Sequence, residues 1–119
     1  MSSRPEELRD RTKMFALRII RLFRSLPYRT DTQVLGKQLS RCGTSVAANY
    51  RAVCRARSKA EFIARMGIVA EEADESVLWL ELLIESGIIK SDLTDTLLKE
   101  AKELAAILTA SQQTAKRTV

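Results

Sequence analysis

Leu35, Leu39, Cys42, Val46, Asn49 and Val53 follow one another at steps of four and three, a spacing that an α-helix gathers onto one face. The seam extends over about residues 32–57, roughly 25 residues or about 37 Å of helix. A helix this long with a single apolar seam must lie against other helices, because in water most helical stability comes from packing that seam.

The rest of the chain supplies three such partners. Pro5 suits a first helical turn, with Glu6 and Glu7 near the positive end of the helix dipole. Leu8, Phe15, Ile19, Leu22 and Leu26 then form one stripe, and Pro27 ends this helix of about residues 5–26. Thr30, Asp31 or Thr32 is expected to cap the second helix. Ser58 followed by Glu61 resembles a capping box and opens a third helix over about 59–86. Phe62, Met66, Val69, Ala73, Leu80 and Leu83 mark its inner face, and Gly87 is a good residue to stop it. Ser91 or Asp92 is expected to cap a fourth helix, about 92–114, with Leu93, Leu97, Leu104 and Leu108 inward. Met1 to Arg4 and the polar run after Ser111 are expected to be loose. With short connections throughout, the expected fold is all-α, an antiparallel up-down four-helix bundle forming one domain over residues 1–119.

Composition agrees with helices. Aromatic residues make up only 5%, and strands of barrels and sandwiches draw on aromatic and β-branched residues. The most apolar window, Val77 to Ile89, is interrupted by Glu81 and Glu85, so neither a signal peptide nor a membrane span is expected. Cys42 and Cys54 lie about 18 Å apart along one helix, too far for a mutual disulfide. A reduced, cytoplasmic protein is the simplest expectation.

Charge divides the chain. Met1 to Arg57 holds 13 Lys/Arg against four carboxylates, whereas Ser58 onward holds seven against eleven. A basic front half suits an anionic partner, and it equally suits basic helices lying on acidic ones within the chain or between copies. With no histidine in the sequence, Ser-His and Cys-His nucleophile pairs and His-ligated metals are ruled out. Glu71, Glu72, Asp74 and Glu75 cluster, but a solvated face with ion pairs explains them better than an oxygen-ligated metal or an acid/base pair. The four glycines stand alone, with no phosphate-binding loop. The expectation is a protein that is not an enzyme, with no catalytic residue, no metal, no cofactor and no small-molecule substrate.

Laid on a helix, Gln38 to Arg51 (QLSRCGTSVAANYR) separates into three sectors. Leu39, Cys42 and Val46 face the core. Gln38, Ser45 and Asn49 form a polar shoulder, expected to join Glu72 or Glu75 of the third helix in a structural network. Lys37, Arg41, Arg51 and Arg55 share an outer sector, with the small Thr44 and Ala48 between them. Helix one adds Lys13, Arg18, Arg21 and Arg24 off its stripe. Arg18, Arg21, Lys37, Arg41, Arg51 and Arg55 are the expected contacts to RNA or another nucleic acid if the stripe follows phosphates, and ion-pair partners of carboxylates if it does not. Gly43 and Ala47 would admit close approach of another backbone. Finally, Met14, Leu17 and Ile20 on helix one and Ile68, Leu78, Trp79 and Leu82 on helix three lie outside the core stripes. A small bundle has no second core to take both sets, so self-association through them is expected.

Several motifs together carry a family resemblance: Gln38-Leu39-x-Arg41, Thr44-Ser45-Val46-Ala47-Ala48-Asn49-Tyr50-Arg51, Ser58-x-x-Glu61-Phe62, and Glu72-Ala73-Asp74-Glu75 followed by Trp79-Leu80-Glu81-Leu82-Leu83. From about Phe15 to Thr114 the chain resembles the bacterial four helix bundle proteins, also called 23S rRNA-intervening-sequence-encoded or S23-type proteins. That resemblance implies an antiparallel four-helix bundle, a homopentameric ring in some members, no enzymatic activity, and RNA as the partner to test. The same superfamily is similar in fold and charge to the accessory variability proteins of diversity-generating retroelements, basic pentamers that act with a reverse transcriptase and nucleic acid. Two functions are therefore expected as alternatives: an oligomer that binds nucleic acid through basic helices one and two, or a structural module whose target is protein.

Overall fold

Four amphipathic helices close their stripes on one another in the computed structural model, which describes residues 4–118. They are α1 (Arg4–Ser25), α2 (Thr30–Cys54), α3 (Lys59–Glu85) and α4 (Ser91–Arg117). Each packs on its neighbour in the chain, and α4 closes loosely on α1, so α1 and α3 occupy opposite corners of an up-down bundle. The molecule measures 48 × 28 × 18 Å. Met1 to Ser3, Val119 and the Leu93 side chain lie outside the described residues, and so do the expectations placed on them.

The inner stripes hold as read. Leu8, Phe15, Ile19, Leu26, Leu39, Cys42, Val46, Val53, Met66, Val69, Ala73, Leu80, Leu83, Leu97, Leu104 and Leu108 are all buried, and Leu22, Leu35 and Phe62 pack against them half-buried. Tyr50 joins the core as well, a position the α2 seam had not included. A Cβ at Gly43 would run into the Ile19 side chain, so the missing methyl receives a side chain of α1 as knob into hole, where a backbone approach had been expected.

Helix ends differ from the sequence reading for identifiable reasons. Arg29 caps α2 in extended conformation without a side-chain bond, so Thr30, Asp31 and Thr32 fall inside the first turn. The Asp31 carboxylate there accepts from the Thr32 N–H at 2.8 Å. At its other end α2 stops at Cys54, three residues short of Arg57. The box that opens α3 requires this: Ser58 Oγ accepts from the Glu61 N–H at 3.0 Å and Glu61 Oε2 accepts from the Arg57 N–H at 3.2 Å, a donor that a longer α2 would have turned back into itself. Gly87, at φ 82°, ends α3, where the Ile89 N–H reaches the Leu83 carbonyl. Lys90 takes the cap of α4 without a side-chain bond, so Ser91 and Asp92 become its first residues.

The chain after Ser111 is ordered helix as far as Arg117, contrary to the loose tail expected. Gln112 explains this: its Nε2 donates to the Ile63 carbonyl at 3.2 Å, reaching α3 over Gly67, where any Cβ would collide with the amide. Gln112→Ala is expected to cost about 1 kcal/mol, the worth of one such bond, and to speed amide exchange after Ser111 selectively. Equal exchange in both proteins would show that the bond does not anchor the turn.

Candidate nucleic-acid interface

The phases of α1 and α2 sort the basic side chains by the neighbour they reach. Residues on the α4 side of α1 meet carboxylates and hydroxyls: Arg11 Nη2 lies 2.6 Å from Glu100 and 3.2 Å from Glu103. Arg18 Nη2 donates to Thr96 Oγ1 at 2.8 Å. On the α3 side of α2, Arg41 reaches Glu72 at 3.5 Å and Glu75 at 3.4 Å. Arg18 and Arg41, two of the six expected nucleic-acid contacts, are thus engaged within the bundle.

Arg21, Lys37, Arg51 and Arg55 are exposed and form no ion pair among the described residues. Arg21 lies on the outer face of α1 with Lys13 and Arg24, away from the other three. Lys37, Arg51 and Arg55 share the sector of α2 that faces out beside α1. At the C-terminal end of that sector, Arg51, Cys54 and Arg55 of α2 line an open hollow of about 390 Å³ with Arg9 of α1. Arg9 was not visible as a candidate from the sequence, because only the antiparallel pairing brings the first turns of α1 beside the last turns of α2. Three arginines thus line the hollow, with no carboxylate among its described lining residues, and like charges set together favour an anion between them. From there to Lys37 the sector runs about 27 Å by helical rise, with only the low side chains Thr44 and Ala48 in its middle.

The polar shoulder divides in two. Asn49 Nδ2 donates to the carbonyl and hydroxyl of Ser45, at 3.0 and 2.8 Å, and so is satisfied on its own helix rather than by Glu72 or Glu75 as expected. Gln38 belongs to the other group, where its Oε1 accepts from Arg41 Nε at 3.3 Å. There the Cys42 thiol donates to Glu75 Oε2 at 3.3 Å and accepts from Arg41 Nη2 at 3.2 Å. Donor atoms of Cys42, Glu72 and Glu75 all lie within 4.8 Å of one another, and the cation already among them is the Arg41 guanidinium. Burial, with the neighbouring carboxylates adding to it, pushes the Cys42 thiol up to about 12, so it is a poor source of the thiolate a metal would need.

Two measurable consequences follow from these thiols. Cys54 is exposed and Cys42 buried, so one equivalent of a thiol reagent is expected to react quickly with native protein and a second only on unfolding; two fast equivalents would contradict the packing. Tyr50 is likewise pushed up to about 12, chiefly by burial and then by Cys54. Raised acids favour the folded state only while protonated in the unfolded one as well. The contribution of these two groups to stability is therefore expected to be full below about pH 9, the ordinary thiol value, and to fall as pH rises toward about 12. Tyr50→Phe should flatten the upper part of that decline in urea unfolding at stepped pH; an unchanged slope would overturn the assignment.

The apolar residues set outside the core stripes also divide. Met14, Leu17, Ile68, Leu78 and Leu82 remain exposed, by 36 to 51%. Ile20 and Trp79 are half-buried, Trp79 packing against the core. Its buried Nε1 has no hydrogen-bond partner among the described residues. No helix among the described residues is long and apolar enough to cross a membrane.

Comparison with known proteins agrees with this architecture. A solved structure from Bacteroides thetaiotaomicron VPI-5482, described as a protein of unknown function from the S23 ribosomal protein family, superposes with a TM-score of 0.85 at 32% identity, over 93% of this chain and 99% of that one. No curated protein matches the sequence. Residues 7–110 match the family model described as 23S rRNA-intervening sequence protein. The bundle, its motifs and this match together place the chain in the 23S rRNA-intervening sequence protein family.

Proposed function

We propose that this protein is a non-enzymatic binder of nucleic acid, acting through the outward face shared by α1 and α2. The observation that carries the reading is the selective pairing of its cations. Arg11, Arg18 and Arg41, turned toward α4 or α3, hold carboxylates or a hydroxyl, while Arg9, Lys37, Arg51 and Arg55, turned outward along α1 and α2, hold none among the described residues. Paired arginines explain stability; the remaining ones follow a line that a phosphate backbone would neutralise. Fluorescence anisotropy with a labelled single-stranded RNA across a salt series tests this. Binding that weakens steeply with salt is expected, and no binding at low salt, or affinity indifferent to salt, overturns it.

A second reading, self-association, draws on a separate observation. The α1 outer face sets Met14 and Leu17 among Lys13, Arg21 and Arg24; the α3 outer face sets Ile68, Leu78 and Leu82 among Glu71, Glu75 and Glu85. The two faces lie on opposite corners, so α1 of one copy meets α3 of the next, head to tail, which closes into a ring or grows as a filament. A two-fold contact would set like charges together. Light-scattering mass should therefore drop to the monomer on Lys13→Glu/Arg21→Glu/Arg24→Glu or on Glu71→Lys/Glu85→Lys, and recover when both sets are combined in one chain. A monomeric parent protein, or a combined variant that stays monomeric, would end the reading.

A further inference from the structure

At the end of the α1–α2 face opposite the arginine hollow stands Tyr28, 92% exposed. No other large apolar side chain among the described residues is so fully in solvent. A phenol ring normally gains by burial, and the core edge is close enough to take one: Leu26, two residues earlier, is buried. The connection that carries Tyr28 is short and held. Pro27 restricts its own φ, the Arg29 N–H donates to the Pro27 carbonyl at 3.0 Å, and α2 starts at Thr30. The ring is thus presented outward from a rigid turn rather than from a long loop.

Tyr28 lines an open hollow of about 400 Å³ with Arg29, Thr30, Gln33, Val34 and Lys37. Its wall combines an aromatic ring, an exposed aliphatic side chain in Val34, an amide that can both donate and accept in Gln33, and the unpaired ammonium of Lys37. Arg29 is the partly neutralised member, 3.5 Å from Asp31. A bare phosphate or a sulfated sugar would use the cation and leave the ring, the amide and Val34 without a role. A nucleotide uses all of them: a planar base against the ring and Val34, its edge toward the amide, and its phosphate toward Lys37.

We infer that Tyr28 is a stacking platform for an unpaired base, making the ligand of the α1–α2 face single-stranded nucleic acid rather than a duplex or a polyanion in general. Duplex bases are stacked on each other and offer no free face at this site. This inference rests on the nucleic-acid reading above, and its test separates the two. Anisotropy titrations would compare a single-stranded RNA, a duplex RNA and heparin against the parent protein, Tyr28→Ala, Tyr28→Phe and Lys37→Gln. Tyr28→Ala is expected to weaken binding of single-stranded RNA roughly 5- to 150-fold, the range for one stacked base, and to leave heparin binding unchanged. Tyr28→Phe keeps a ring and should keep the affinity, while Lys37→Gln should weaken all three ligands. Ultraviolet crosslinking of the RNA should map to Tyr28. Equal RNA binding by Tyr28→Ala and the parent protein overturns the stacking site and leaves the nucleic-acid reading standing. An equal loss of heparin and RNA shows a general effect on the face and also overturns it. No RNA binding by the parent protein overturns both.

Discussion

Replacing Arg9, Lys37, Arg51 and Arg55 together with Gln is expected to abolish most salt-dependent binding while leaving the bundle folded. Each phosphate contact on a single strand contributes about 0.7 to the slope of log affinity against log salt, so four contacts give a slope of about 2.8. Between 50 and 200 mM salt the parent protein should then lose roughly 50-fold in affinity, and the variant close to none. Circular dichroism and thermal melting should be nearly the same for both proteins, because none of the four side chains forms an ion pair among the described residues. Arg41→Gln is the control with the opposite signature. It strips Glu72, Glu75 and the Cys42 thiol of their cation, so the melting temperature should drop while RNA affinity stays. If the quadruple variant melts early and Arg41→Gln binds poorly, the division between structural and binding cations is wrong. A protein-directed module would be the better account in that case.

The second large effect is expected at the α1–α2 contact. Ile19 is fully buried and lies over Gly43, so Ile19→Ala leaves a cavity at the α1–α2 contact. Truncations of this kind cost about 2–5 kcal/mol, which for a chain of this size corresponds to a fall of roughly 10–20 °C in melting temperature. Filling the hole from the other side has a different sign structure. Gly43→Ala gains about 1 kcal/mol in helix propensity, but its methyl must displace Ile19, and overpacking costs about 1–3 kcal/mol. The single change should therefore be neutral to destabilising in the parent protein and stabilising in the Ile19→Ala background. Urea unfolding of the four proteins in a double-mutant cycle measures this coupling. Strict additivity would mean that the two residues do not meet.

Much of the bundle was legible because helical phase is local. Steps of three and four put Leu39, Cys42, Val46 and Val53 on one side whatever lies beyond them, and the same holds for Phe15 and Ile19 or Met66 and Val69. The Ser58–Glu61 box and Gly87 were legible for the same reason, since caps act within a turn. Tyr50 escaped the reading because it lies only a few tens of degrees from the seam, and a large ring is drawn into whatever space the neighbouring helices leave. Trp79 was not read as part of the core either, yet it packs against it half-buried.

What the residues alone determined, then, is four amphipathic helices, their faces, their order and a basic front half. Which cations are free was decided only in three dimensions. Arg41, Arg51 and Arg55 occupy one sector of a helical wheel, yet a lean of part of a turn toward α3 brings Arg41 to Glu72 and Glu75 and leaves the other two in solvent. Arg9 joins them solely through the antiparallel register of α1 on α2, and Gln112 finds Ile63 solely because Gly67 lets α4 come close to α3. Helical phase is set by bonds to residues three and four away. Register between helices is set by how all the buried side chains fit at once, and that fit assigns each arginine to a carboxylate or to solvent.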